Sequence, residues 1–236
     1  MESRQSREIK QSKGHVYNYY NFNNIHMSDT RYVTLKSHYN EDQSIIEVGV
    51  DEAGRGSLAG PVTVAACIMP VNFSHPLVKD SKLLSEKQKE EAYKIVMANA
   101  IAWHCVHVDA KLIEEQNILK ATLHGMMLAL SGVEETTDFD FILVDGDQFH
   151  GYNGKNYVTI VGGDNKYTSI AAASIIAKIK HDNWMRECEE GKIYGWASNK
   201  GYGTKQHLDA IKEHGPSEHH RTSFISHIVT KTAELF

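Results

Sequence analysis

Short apolar runs rich in β-branched residues alternate along this chain with longer stretches of helical periodicity, and most of the runs end on glycine or an acid. Ile45 to Val50 reads as a strand buried on both faces, and Val62 to Met69 as a second. Ile101 to Val108 alternates as a third, Phe139 to Val144 is again strongly apolar, and Val158 to Val161 is short. Between them a helix is expected after Ser85, with Gln88 placed to complete a capping box and Ala92, Ile95, Val96 and Ala100 on one face. Residues 109–131 read as one or two helices broken near Asn117, with Leu119, Leu123, Met126, Met127 and Leu130 as the packing stripe. A long helix is expected from Lys166 to about Glu190; its first half, Ser169 to Lys178, is apolar nearly all round and therefore buried against the sheet. A last clear helix opens at Thr204 and stops at Gly215-Pro216. Residues 1–43 are polar and lack aliphatic periodicity, so they read as a partly disordered extension with a stray strand at Val33 and Leu35, and 44–236 as one α/β domain.

Composition narrows this only slightly. A formal charge of −5 and a pI near 6.3 argue against broad nonspecific polyanion binding, so a nucleic-acid partner needs a local basic surface or bridging cations. Cys67, Cys105 and Cys188 are few, odd in number and not spaced for zinc, which suits a reducing compartment. With no apolar run of membrane-spanning length and no signal-peptide core, a cytoplasmic protein is expected.

The chemistry lies at the ends of the apolar runs. The first strand leads into Asp51-Glu52, and the Phe139–Val144 strand into Asp145-Gly146; strand ends form the mouth of the ligand crevice in open sheets of this kind. Asp51 and Glu52 point to opposite sides of a regular strand, so a twist or bulge is needed if both serve one site. Asp164, before the long buried helix, projects toward the same crevice. Four carboxylates packed together repel one another and take up protons, whereas hard oxygen donors suit Mg²⁺ or Mn²⁺. No Ser or Cys nucleophile is evident. Two histidine groupings are weaker signals: His104 and His107 face opposite ways on their strand, and His219-His220 reads as a surface patch.

The run Val48-Gly49-Val50-Asp51-Glu52-Ala53-Gly54-Arg55-Gly56-Ser57-Leu58-Ala59-Gly60-Pro61 closely resembles the signature of the ribonuclease HII family. Asp80-Ser81-Lys82-Leu83-Leu84, the helix Ala172-Ala173-Ser174-Ile175-Ile176-Ala177-Lys178, and the stretches Gly201-Tyr202-Gly203 and His220-Arg221-Thr222-Ser223-Phe224 continue the resemblance over residues 45–226. It implies a ribonuclease H-like fold: a five-stranded mixed sheet flanked by helices, with a helical C-terminal part. It implies Asp51, Glu52, Asp145 and Asp164 as catalytic, metal-binding acids using two Mn²⁺ or Mg²⁺ ions. Gly54, Arg55 and Gly56 are then the turn that senses the 2′-hydroxyl, and Tyr202 the ring that stacks beyond the RNA–DNA junction. Lys178 and Arg221, inside matched runs, are taken as substrate-binding. The implied activity is hydrolysis of RNA in RNA–DNA hybrids and incision 5′ to single ribonucleotides in DNA, leaving 5′-phosphate and 3′-hydroxyl ends, by a monomer serving ribonucleotide excision repair. Two departures stand out: Gly163 where Lys is frequent in bacterial members, and His181 where Arg is usual. Two other readings stand beside it: a sister ribonuclease HIII or another ribonuclease H-like nuclease, which would keep the same acids, and a catalytically idle nucleic-acid binder, whose sign would be a lost acid, and none of the four is lost.

Overall fold

The computed structural model describes residues 34–226, so Val33 and most of the polar extension lie outside the described residues. Five strands form one mixed sheet: β1 (Glu47–Ala53), β2 (Val62–Ile68), β3 (Ala102–Val108), β4 (Phe141–Asp145) and β5 (Asn156–Ile160). Their order is β3-β2-β1-β4-β5, antiparallel across the first three and parallel from β1 to β5. The helices are α1 (Glu86–Asn99), α2 (Ala110–Gln116), α3 (Ile118–Glu134), α4 (Thr168–Glu187), the single turns α5 (Gly191–Tyr194) and α6 (Trp196–Asn199), and α7 (Lys205–His214). Among the described residues no helix is long and apolar enough to cross a membrane.

The period-2 alternation of the strands sorts the core into two layers. Val48, Val50, Val64, Ala66, Ile142 and Val144 pack against Met126, Ala129, Leu130 and Val133 of α3. Ala65 and Cys67 face the other way, onto Ala171, Ala172, Ala173, Ile175, Ile176 and Ala177 of α4, with α1 behind. Small residues bring α4 within backbone range of the central strand. A Cβ on Gly49 would stand 2.2 Å from the Ser169 carbonyl carbon and 2.4 Å from the Ile170 nitrogen, so only glycine fits.

The caps behave as the sequence implies. Ser85 and Gln88 exchange both capping-box hydrogen bonds at the start of α1, and Thr204 caps α7. Asn117 takes φ 73°, ending α2 while its side chain caps α3, which is why the helical run breaks there. Helix α4 starts at Thr168 rather than Lys166, because residues 163–165 form a tight 3-10 turn first. Residues 34–43 are packed on the domain. Leu35 is buried, Lys36 exchanges backbone hydrogen bonds with Lys166 and Thr168, and no strand forms at Leu35. The buried Glu47 carboxylate accepts from the amides of Tyr39 and Asn40 and lies 3.2 Å from the His38 imidazole. A polar segment is thus seated by one buried acid, a contact hydrophobic patterning does not register.

Candidate active site

In the parallel pair, Val50 lies opposite Val144. One residue further, Asp51 and Asp145 come level at the carboxyl ends of adjacent strands, and since the valines face α3, both acids face α4. Glu52 has the opposite parity. Its pairing with Val64 continues unbroken to Ala53 and Thr63, so no bulge turns it. Even so, it lines the same cleft, because β4 stops pairing with β1 at Val144 and leaves that edge of the strand open. The strand itself runs three residues past the expected end at Val50, which puts both acids on rigid backbone rather than in a loop.

The cleft has a volume of about 320 Å³. Asp51, Glu52 and Asp145 form its floor, Ser81, Lys82 and Ser174 one side, and Gly54, Arg55, Gly56, Lys178 and Tyr202 another. Asp164 stands at its edge in the 3-10 turn. The preceding Gly163 amide donates to Asp145 Oδ1 at 2.6 Å, and Lys82 Nζ reaches within 3.8 Å of Asp164 Oδ2. Burial, then the neighbouring Glu52 and Asp145 carboxylates, holds the Asp51 carboxyl well above the usual range. Burial also raises Glu52, against the pull of Arg55, and burial with Asp80 and Asp145 raises Asp164. These acids resist ionising together, and a divalent cation would relieve burial and mutual repulsion at once. All donors are carboxylate oxygens, so the set fits a hard cation such as Mg²⁺ or Mn²⁺.

Across the cleft the glycine turn has two different reasons for its composition. Gly54 takes φ 79°, and a Cβ there would meet the His181 ring at 2.3 Å. Gly56 has no such constraint: among the described residues the nearest atom to a Cβ is Tyr202 Cε1 at 3.9 Å, so none of them requires glycine. The missing side chain leaves a slot between the turn and the Tyr202 ring. Tyr202 is 38% exposed, with Lys178 Nζ 5.7 Å from its ring centroid. Lys178 also pairs with the buried Asp182 at 2.8 Å, which places that acid in ordering α4 rather than in the acid cluster.

Arg221 is elsewhere. Although taken from the sequence as substrate-binding, it is wholly buried, and its guanidinium donates to Gly60 O at 3.0 and 3.1 Å and to Arg55 O at 2.9 Å. It grips the back of the glycine turn instead of facing the cleft. His181 packs beneath Gly54 and is kept neutral by burial, its pKa pushed down to about 4. Asp80, Ser174 and Lys89 were not anticipated. Asp80 caps its own turn and shares Asn165 Nδ2 with Asp164, joining segments 85 residues apart. Its cap position was legible in the sequence; the bridge was not.

Residues 48–227 match the family model described as Ribonuclease HII. The chain is 42% identical over 205 residues to the ribonuclease HII of Cytophaga hutchinsonii, spanning 86% of this chain and 99% of that one. It is 45% identical over 184 residues to that of Phocaeicola vulgatus, spanning 78% and 90%. Among solved structures, the ribonuclease H2 from Pyrococcus horikoshii OT3 superposes with TM-score 0.67 at 22% identity over 80% of this chain and 99% of that one. The Bst-RNase HIII in complex with Mn²⁺ does so with TM-score 0.64 at 18% identity, over 81% and 70%.

Proposed function

The chain belongs to the ribonuclease HII family, metal-dependent hydrolases of RNA phosphodiesters, and on that premise we propose that it incises duplex DNA 5′ to an embedded ribonucleotide and cuts the RNA of RNA–DNA hybrids. The observation that carries this is the convergence of Asp51, Glu52 and Asp145, with Asp164 at the edge, opposite an open slot between Gly56 and Tyr202. The four acids would hold two Mg²⁺ or Mn²⁺ ions. Bound there, the ions supply an activated water and charge stabilisation for the departing 3′ oxygen, leaving 5′-phosphate and 3′-hydroxyl ends.

The chain's own residues do the rest. Asp51, on rigid sheet and hydrogen-bonded by the Glu52 amide at 2.7 Å and by the Ser174 hydroxyl, is held with its carboxylate lining the cleft. Asp145 is oriented in the same way by the Gly163 amide. Gly54 to Gly56 bring backbone against the ribose, where the 2′-hydroxyl distinguishes RNA from DNA. Tyr202 offers a face for stacking at the next sugar, and Lys82, Lys89 and Lys178 supply the local positive charge that the net charge of −5 lacks. Ribonucleotide removal during DNA repair is the corresponding role.

The test is incubation with a DNA duplex containing one ribonucleotide, with Mn²⁺ or Mg²⁺, beside Asp145→Asn. A single nick 5′ to the ribose, absent in the variant, is the expected result. Cleavage confined to long hybrids would overturn the single-ribonucleotide reading, and binding without cleavage under both metals would overturn the enzyme reading.

A further inference from the structure

A second group of metal-ligating side chains lies in the C-terminal part, apart from the cleft. Glu190 sits in the turn between α4 and α5, while Glu218 and His219 follow α7, and a ligand atom of each lies within 4.8 Å of the other two. Two carboxylates converge here without a cationic partner among the described residues; Lys192, close in sequence, pairs with Glu189 instead. The Glu190 Oε2 oxygen is wholly buried and accepts no hydrogen bond. A buried carboxylate oxygen without a donor is costly, and a second carboxylate beside it makes the cost larger. A cation removes both penalties.

We propose that Glu190, Glu218 and His219 form a structural site for a divalent transition ion of the Zn²⁺ class. The donor set argues for this class: one imidazole nitrogen with two carboxylates suits Zn²⁺ and its neighbours, whereas Mg²⁺ and Ca²⁺ favour oxygen alone. The imidazole is held by its surroundings, with the Trp184 and Trp196 rings edge-on to it at 5.3 and 6.3 Å between centroids. The consequence reaches the glycine turn. His219 O accepts from the Gly60 amide at 2.9 Å, and the Arg221 amide donates to Leu58 O at 2.8 Å. An ion at this site ties the end of α4 to the loop that holds residues 55–60 in place.

The site is separable from the catalytic acids, so its test does not depend on activity. Full-length Asp145→Asn protein is titrated with Zn²⁺ against a chromophoric chelator, alone and combined with His219→Ala, Glu190→Gln or Glu218→Gln. One equivalent is expected in Asp145→Asn, with affinity at least about tenfold weaker in each combined variant. Zn²⁺ should also raise the Tm of Asp145→Asn and not of the combined variants, whose metal-free Tm checks that they fold; the exposed Glu218 makes its variant the safest there. Unchanged Zn²⁺ affinity in the His219 and Glu218 variants would overturn the proposal, as would the absence of any Zn²⁺ binding in Asp145→Asn.

Discussion

The two walls of the cleft are built by different physics. The acid wall is set by backbone: Asp51, Glu52 and Asp145 stand on paired strands whose register is held by the sheet and by α4 packed on Gly49. The opposite wall is set by buried polar side chains. Arg221 holds the carbonyls of Arg55 and Gly60, Asn199 bonds the Gly201 amide, and His207 Nδ1 donates to Tyr202 O. The tautomers follow from the partners. Trp196 Nε1 donates to His207 Nε2, which leaves the His207 proton on Nδ1, and the Ser217 amide donates to His220 Nδ1, which leaves its proton on Nε2, directed at His207. The acids are therefore fixed by secondary structure, and the glycine turn with Tyr202 by tertiary hydrogen bonds, so the two walls should fail in different ways.

The sharpest contrast comes from Asp51→Asn. Activity should fall by roughly 10³-fold, the scale of losing one preorganised electrostatic group. Metal-free Tm should not fall, since the carboxyl it replaces already resists ionisation. A large Tm loss would mean the acid wall is as dependent on side-chain bonding as the other. Arg221→Ala is the counterpart. It orphans two carbonyls and leaves a buried gap, so a loss of about 3 kcal/mol in denaturant unfolding is expected, with KM for the ribonucleotide-containing duplex rising more than kcat falls.

Acid should separate the walls without mutation. Burial holds His181 and His220 at pKa values of about 4, below the ordinary 6.5. Between those values the unfolded chain binds protons that the folded histidines refuse, so their contribution is complete above pH 6.5 and is lost as pH falls toward 4. The raised carboxyls of Asp51, Glu52 and Asp164 have the opposite sign, since the folded state binds protons more readily than the unfolded and gains stability as pH falls through their folded values. Hydrogen exchange at pH 7 and pH 5 should therefore show amides of residues 199–221 losing protection while those of β1 hold theirs. Equal loss in both would remove the distinction.

The smallest effects belong to the slot. Gly56→Ala should leave Tm unchanged, because the added methyl meets only Tyr202 at 3.9 Å, yet weaken binding of a ribonucleotide-containing duplex. Tyr202→Ala should cost about 1–3 kcal/mol of affinity, the range of one stacked base or sugar contact, at unchanged Tm. Fluorescence anisotropy in Ca²⁺ would measure both. A stability loss for Gly56→Ala would show that the protein, not a ligand, requires glycine there.

Much of this was open to reading before any coordinates. Short apolar runs placed all five strands, the capping residues Ser85 and Thr204 marked helix starts and Asn117 a helix break, and the strand–acid–glycine repeat picked out Asp51 and Asp145, because these signals are local and each follows from backbone geometry. The tertiary structure decided what depends on distant partners. It brought Glu52 into the cleft without a bulge, joined Asp80 to Asp164 through Asn165, and turned Arg221 inward against residues some 166 positions away. It also gathered Glu190, Glu218 and His219 into one cluster. A side chain's residue type declares what it can bond, but whether it faces solvent, substrate or a buried carbonyl is set by the elements packed around it, and those are remote in sequence.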